Sequence, residues 1–243
     1  MHLGAPTLRI SSSILENVAL AAAAILRPGI VVHRLGRLYP DVLFRHPTRE
    51  PVVALTFDDS PHATLTPRIL DVLAEHDARA TFFAIGSHVP GNEDVLRRLI
   101  SEGHELGNHM MEDAPSYRLS PYEFERQLLQ VHALLEPYGG ARWFRPGHGW
   151  FNQRMLDQVH RQGYRCAMAS TYAYEFLTSL SGDCEARQIL LNIRPGAVIV
   201  IHDGAEDRER TVVALQIMLP VLRDRGYRVV TLTELTSCGG EPG

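Results

Sequence analysis

The chain has 243 residues, 45% hydrophobic and 21% charged, which suits one α/β domain with a large core and excludes disordered or collagen-like chains. Lys plus Arg number 24 against 28 for Asp plus Glu, a formal charge of −4 without a basic run, so a nucleic-acid footprint is excluded. The three dispersed cysteines, Cys166, Cys184 and Cys238, form no C-x-x-C pair; they read as buried or incidental thiols, with one disulfide open to an exported chain.

Residues 1–50 read as an N-terminal helical extension. Its longest apolar stretch, Val18 to Leu26, is too short to span a bilayer, and Glu16 precedes it. Arg9 is the only firm positive charge before Ser11, so a signal peptide is not indicated and the default location is cytoplasmic. The stretch is expected to form a helix packed on the body, with membrane-surface anchoring as the alternative.

Residues 51–243 form the main domain. Strands are expected at Val52 to Phe57, Arg79 to Ile85, His104 to His109, Trp143 to Pro146, Tyr164 to Ala169, Ala197 to His202 and Tyr227 to Leu232. Helical patterns lie between them. One opens at Thr66-Pro67, one is capped by Asn92, and one is capped by Ser120 with Glu123 completing a capping box. Others cover Asn152 to Gln162, Glu185 to Ile193 and Arg208 to Arg225, with a short helix after the last strand. Seven near-continuous apolar strands alternating with helices indicate a parallel sheet with helices outside. Periodicity leaves open whether that sheet closes.

Polar residues gather where these strands end. Asp58 and Asp59 follow the first strand, His109 and Asp113 the third, Arg145 and Pro146 the fourth, and His202 the sixth. In a parallel α/β fold those ends share one face, where active sites are built. Adjacent buried carboxylates need a cation or an arginine to offset their repulsion; a lone Asp-Asp pair would otherwise read as a turn cap. His109 and Asp113, four residues apart, can point at one ion on a helical turn. With Asp59 they make an Asp, His, Asp set suited to zinc, cobalt, manganese or iron, leaving positions open for water and substrate. His104 faces the opposite way from His109 on an extended strand and is assigned to packing or surface. Arg145 can pair with a carboxylate. His202 is either a satisfied core residue or an acid–base group. His62 is assigned to the rim.

These clusters resemble the NodB-homology polysaccharide deacetylases of carbohydrate esterase family 4. The T-F-D-D-G motif matches Thr56 to Asp59, with Ser60 in place of glycine; H-[S/T]-x-x-H matches at His109; R-P-P-Y-G matches at Arg145, Pro146 and Gly149; and the aliphatic-His motif matches Ile201-His202. The resemblance spans roughly residues 50–236 and implies a distorted (β/α)7 barrel. It implies that Asp58 is the general base, that Asp59 and His109 ligate the metal, and that Arg145 orients Asp58. His202 would be the general acid, and the His148 N–H would stabilise an oxyanion beside Gly149. Three departures stand out. Asp113 occupies the second metal histidine's place, Gly147-His148 replaces Pro-aromatic, and the D-x-x-D-W motif is absent, with Ser170 to Tyr174 in its region. Asp113 would still ligate, making the site harder and more anionic.

The implied activity is hydrolysis of N-acetyl groups on N-acetylglucosamine oligo- or polysaccharides resembling chitin or peptidoglycan. It would use one divalent ion: zinc first, with cobalt or manganese as alternatives. Trp150, Tyr172 and Tyr174 are candidate sugar-stacking residues. The family places such proteins mostly at the envelope or outside the cell. Two rivals are hydrolysis of another non-peptide C–N or ester bond on the same fold, and a carbohydrate-binding pseudoenzyme.

Overall fold

The computed structural model describes residues 28–173, 181–205 and 208–239. In chain order the larger elements are α1 (Pro28–Leu38), β1 (Val42–Leu43), β2 (Val52–Ser60), α2 (Leu65–Glu75), β3 (Ala80–Ala84), α3 (Glu93–Ser101), β4 (Glu105–Asn108), α4 (Pro121–Leu135) and β5 (Trp143–Phe144). They continue with α5 (Gln153–Arg161), β6 (Arg165–Ala167), β7 (Thr171–Tyr172), α6 (Gly182–Asn192), β8 (Val198–His202), α7 (Glu209–Asp224), β9 (Arg228–Val230) and α8 (Leu232–Ser237). All seven expected strands are present. β1 and β7, of two residues each, are additional.

The strands pair in parallel in the order β1-β6-β5-β4-β3-β2-β8-β7, with β9 also against β2. Among the described residues β1 and β7 end this order without pairing to each other, so the barrel is open there. β1 pairs with β6, so the sheet draws on residues before 51. Val32, Leu35 and Tyr39 pack against the core. The stretch from Val18 to Leu26 lies outside the described residues. Among those described, no helix is long and apolar enough to cross a membrane.

Alternation along the strands builds two apolar layers. Val53, Leu55 and Phe57 of β2, with Ile199 and Ile201 of β8, pack beneath residues of α2, α6 and α7. Val52, Ala54, Phe83, Trp143, Ala167 and Val198 form the inner layer. Both faces of the sheet are thus covered, which is why the strands read as unbroken apolar runs. Continuing the inner-face alternation beyond these residues reaches Thr56 and Asp58 on β2, Arg145 after Trp143, and His202 after Val198 and Val200.

Local signals hold with two corrections. Ser120, Asn152 and Thr231 accept the N–H groups that cap α4, α5 and α8. Asn92 precedes α3, but its side chain makes no cap bond; its amide donates to the His88 carbonyl instead. Glu123 does not complete a capping box, because its carboxylate is taken by Arg126 and Gln127. All three cysteines are free; Cys166 is buried, which pushes its thiol up to about 12.

Candidate active site

Two adjacent residues on a regular strand face opposite sides of the sheet. Asp58 and Asp59 escape this rule because the β2–β3 register shifts between Phe57 and Ser60, and Asp59 adopts a left-handed backbone (φ 69°). The bulge re-aims Asp59. Both carboxylates then face one ring: His109 Nε2 lies 3.9 Å from Asp58 Oδ2 and 3.6 Å from Asp59 Oδ1.

His109 is fixed from its other nitrogen. Nδ1 sits 2.8 Å from the Arg145 carbonyl oxygen. A carbonyl only accepts, so Nδ1 carries a proton, and Nε2 is turned to the carboxylates. The turn behind it is held by Asn108, whose Oδ1 accepts from the Met110 N–H at 3.0 Å, while Met110 is itself left-handed (φ 70°).

Arg145 is 3% exposed. Its Nη1 donates to Asp58 Oδ1 at 2.6 Å and to Thr56 Oγ1 at 2.8 Å, and its Nε donates to the Ala167 carbonyl at 3.0 Å. The guanidinium carbon lies 4.1 Å from the centre of the Phe83 ring. That ring fits because residue 107 is glycine: a Cβ there would fall 2.5 Å from Phe83. Burial alone would push the Asp58 carboxyl up, but Arg145, His109 and His202 together hold it below its ordinary value. Asp59 stands above its ordinary value. Burial is the largest cause and outweighs relief from His109 and His202, with the like charges of Asp58 and Asp113 adding a smaller rise. His202 is the register partner of Asp58 on the neighbouring strand.

The structure therefore assembles Asp58, Asp59, His109, Arg145 and His202. Asp113 and His148 stand apart from them. The Asp113 side chain is 64% exposed, and its Oδ1 lies 3.4 Å from Nε2 of the half-exposed His148. The four-residue spacing from His109 does not act as a helical turn, since the left-handed Met110 intervenes. His148 is also left-handed (φ 58°), and the Gly147 N–H beside it donates to Ser116 Oγ at 2.8 Å, joining the two loops. Trp150 is 68% exposed at the rim next to Gly149. Tyr172 is half-buried, and Tyr174 lies outside the described residues.

His104 is buried. Its Nδ1 accepts the Ala80 N–H at 3.2 Å, and its ring packs edge-on to Phe82, which makes it a packing residue. His62 Nδ1 accepts the Leu65 N–H at 3.2 Å at the start of α2. Two further groups were given no role by the sequence reading. Thr56 bridges Arg145 and the Ile199 carbonyl. Asp203, buried directly after His202, accepts from the hydroxyls of Ser60 and Thr66. Thr56 lies inside a recognised motif, and Asp203 follows His202 at the same strand end.

The donor set suits a divalent cation. An imidazole whose Nδ1–H is held by a carbonyl turns Nε2 toward a desolvated carboxylate. Their 3.6 Å separation is close to the edge of about 3.4 Å spanned by two ligands of a tetrahedral ion at about 2.1 Å. Among the described residues, however, no three His, Cys, Asp or Glu side chains stand close enough to enclose an ion. Asp59 and His109 are the assembled pair, and Asp113 is exposed against His148.

Comparison with known proteins gives a consistent picture. The family description "Polysaccharide deacetylase" matches residues 45–167. A peptidoglycan-N-acetylglucosamine deacetylase from Bacillus cereus is 34% identical over 196 residues, covering 80% of this chain and 92% of its own. The cobalt complex of a family 4 acetyl xylan esterase from Clostridium thermocellum superposes with a TM-score of 0.73 at 31% identity, over 79% of this chain and 93% of the esterase. A CE4 family pseudoenzyme from Bacillus anthracis gives a TM-score of 0.73 at 27% identity, over 81% of this chain and 69% of that one.

Proposed function

This chain belongs to the polysaccharide deacetylase family, and from that premise we propose that it removes N-acetyl groups from N-acetylglucosamine-containing saccharides with the help of one divalent ion. The observation that carries the reading is the convergence of Asp58, Arg145 and His109 at buried strand ends. A bare carbohydrate-binding surface has no need of a buried, arginine-held carboxylate beside an oriented imidazole.

Asp59 and His109 would hold the ion, with Asp113 as the further ligand if its loop closes. Zinc is the first candidate for this mixed nitrogen and oxygen set, and cobalt and manganese are the alternatives. When bound, the ion polarises the acetamide carbonyl and acidifies water.

The protein's own groups do the rest. Arg145 occupies Asp58 Oδ1 and keeps the carboxyl ionised, leaving Oδ2 to take a proton from the attacking water. The His148 N–H would donate to the oxyanion of the tetrahedral adduct; one such donor is worth about 2.7–4 kcal/mol in comparable sites. His202 delivers a proton to the departing nitrogen as the C–N bond breaks, giving a free amine and acetate. General acid–base assistance of this kind is worth roughly 10²–10⁴-fold. Trp150 offers its exposed ring for stacking against a sugar.

Elemental analysis of the purified protein, with acetate release from N-acetylglucosamine oligomers under added zinc, cobalt or manganese, tests this reading. Near-stoichiometric metal and acetate release that vanishes in Asp58→Asn is the expected result. Metal without acetate release would move the substrate to another acyl bond. The exposed Asp113 favours a second reading, a pseudoenzyme that binds saccharide only. No metal uptake and no activity with any ion would select it.

A further inference from the structure

Asp59 carries a left-handed backbone conformation (φ 69°), uncommon for any residue with a side chain. Three contacts from outside its own strand brace the main chain here, and Arg208 Nη2 lies 3.8 Å from the carboxylate Oδ2. The His88 ring approaches with Nδ1 2.9 Å from the Asp59 carbonyl oxygen. The carbonyl only accepts, so Nδ1–H is the donor. His88 ends the short 3₁₀ turn Gly86–His88 that follows β3, and its own carbonyl is tied by the Asn92 amide at 2.8 Å, so the ring is mounted on a braced turn. On the opposite chain segment Gly204 closes against the same residue. A Cβ there would meet the Asp59 carbonyl oxygen at 2.3 Å and Asp59 Cβ at 2.7 Å, at a φ of +85° that already favours glycine. On the C-terminal side Ser60 donates to the buried Asp203 Oδ2 at 3.0 Å, and Asp203 N–H donates to the Asp58 carbonyl at 2.9 Å. The serine that departs from the family's glycine thus anchors the bulge to the strand end that carries His202.

We infer that His88, Gly204 and the Ser60–Asp203 hydrogen bond form a clamp that aims the Asp59 carboxylate at His109, with His88 as a positioning residue for the ion-binding pair. The inference rests on the reading of Asp59 and His109 as metal ligands. His88 touches no reacting atom in this scheme; it acts through the Asp59 main chain. Groups that orient a ligand typically change metal affinity by about 10–100-fold when removed.

The test is a cobalt titration of metal-stripped protein, read by visible absorbance, for wild type, His88→Ala, His88→Asn and His88→Gln, with the thermal midpoint recorded for each. The asparagine amide places an N–H near the position of ring Nδ1, whereas the glutamine amide places it further out. Cobalt affinity is expected to fall at least tenfold in His88→Ala and His88→Gln and to return to within a few-fold of wild type in His88→Asn, at similar thermal midpoints for Asn and Gln. If His88→Ala fails to fold, the Asn and Gln pair still decides the matter, because both keep a polar side chain. Equal cobalt affinity in all folded variants overturns the clamp while leaving the metal site intact. A wild-type protein that takes up no cobalt overturns the metal reading and the clamp with it.

Discussion

Arg145 Nη1 and Asp58 Oδ1 stand 2.6 Å apart, with their side chains 3% and 10% exposed. Removing one partner of such a pair leaves an uncompensated buried charge. Arg145→Ala is therefore expected to lose about 3–5 kcal/mol of stability in urea unfolding near neutral pH. The titration adds a second readout. Asp58 has a depressed carboxyl in the folded state, so its contribution to stability is present above the ordinary carboxylate range and lost as pH falls through the folded value. Without Arg145, burial is less opposed and the carboxyl moves up. The acid limb of kcat/KM should shift to higher pH in any Arg145 variant that folds, and an unmoved limb would remove Arg145 from control of the base.

Asp113 is the weakest of the expected metal ligands by position, being exposed and set against His148. His109→Ala is expected to abolish stoichiometric metal binding, whereas Asp113→Ala lowers affinity by a smaller factor. Asp113→His, which installs the family's usual residue, should tighten cobalt binding. Isothermal titration of the three variants checks the order; loss in Asp113→Ala as large as in His109→Ala would mean that the loop closes over the ion.

His104 links burial to acid stability. Burial lowers its ring to about 4 from the ordinary 6.5, with Glu102 only partly opposing this. The folded state thus holds it neutral while the unfolded chain binds a proton between those values, so its contribution is complete above about 6.5 and is lost as pH falls toward about 4. The difference amounts to about 3 kcal/mol. His104→Asn keeps an acceptor for the Ala80 N–H without a titrating ring. Between pH 6.5 and 4 the wild type should lose stability relative to this variant, as measured by urea midpoints. Parallel curves would show that the ring protonates freely.

Gly107→Ala probes the floor beneath Arg145. The new methyl would meet the Phe83 ring at 2.5 Å, and overpacking of this kind typically costs 1–3 kcal/mol. Because Phe83 lies under the guanidinium, activity should fall further than stability requires, mainly in kcat. Gly107→Ala with wild-type kcat would show that the site tolerates a displaced ring.

Much of the site was legible because the inner face of each strand ends in its polar residue. The runs before Asp58, Arg145 and His202 are apolar, so the polar residue that ends each could be read from order alone. β1 and β7 were not legible, because two residues are too few to display a period and neither leads into a motif as the equally short β5 does. Asp113 was misplaced for a related reason: four-residue spacing brings side chains together only on a helix, and a left-handed Met110 breaks that geometry.

What the sequence by itself determined is the architecture and the identity of the strand-end groups, since both follow from hydrophobic runs and short motifs local in the chain. Tertiary structure alone decided which of those groups meet. The Arg145–Asp58 pair joins residues 87 positions apart, and the shared aim of Asp58 and Asp59 depends on a bulge and a left-handed residue held by His88 and Gly204. Such contacts are set by packing between distant strands, and packing leaves no periodic trace in the residues themselves.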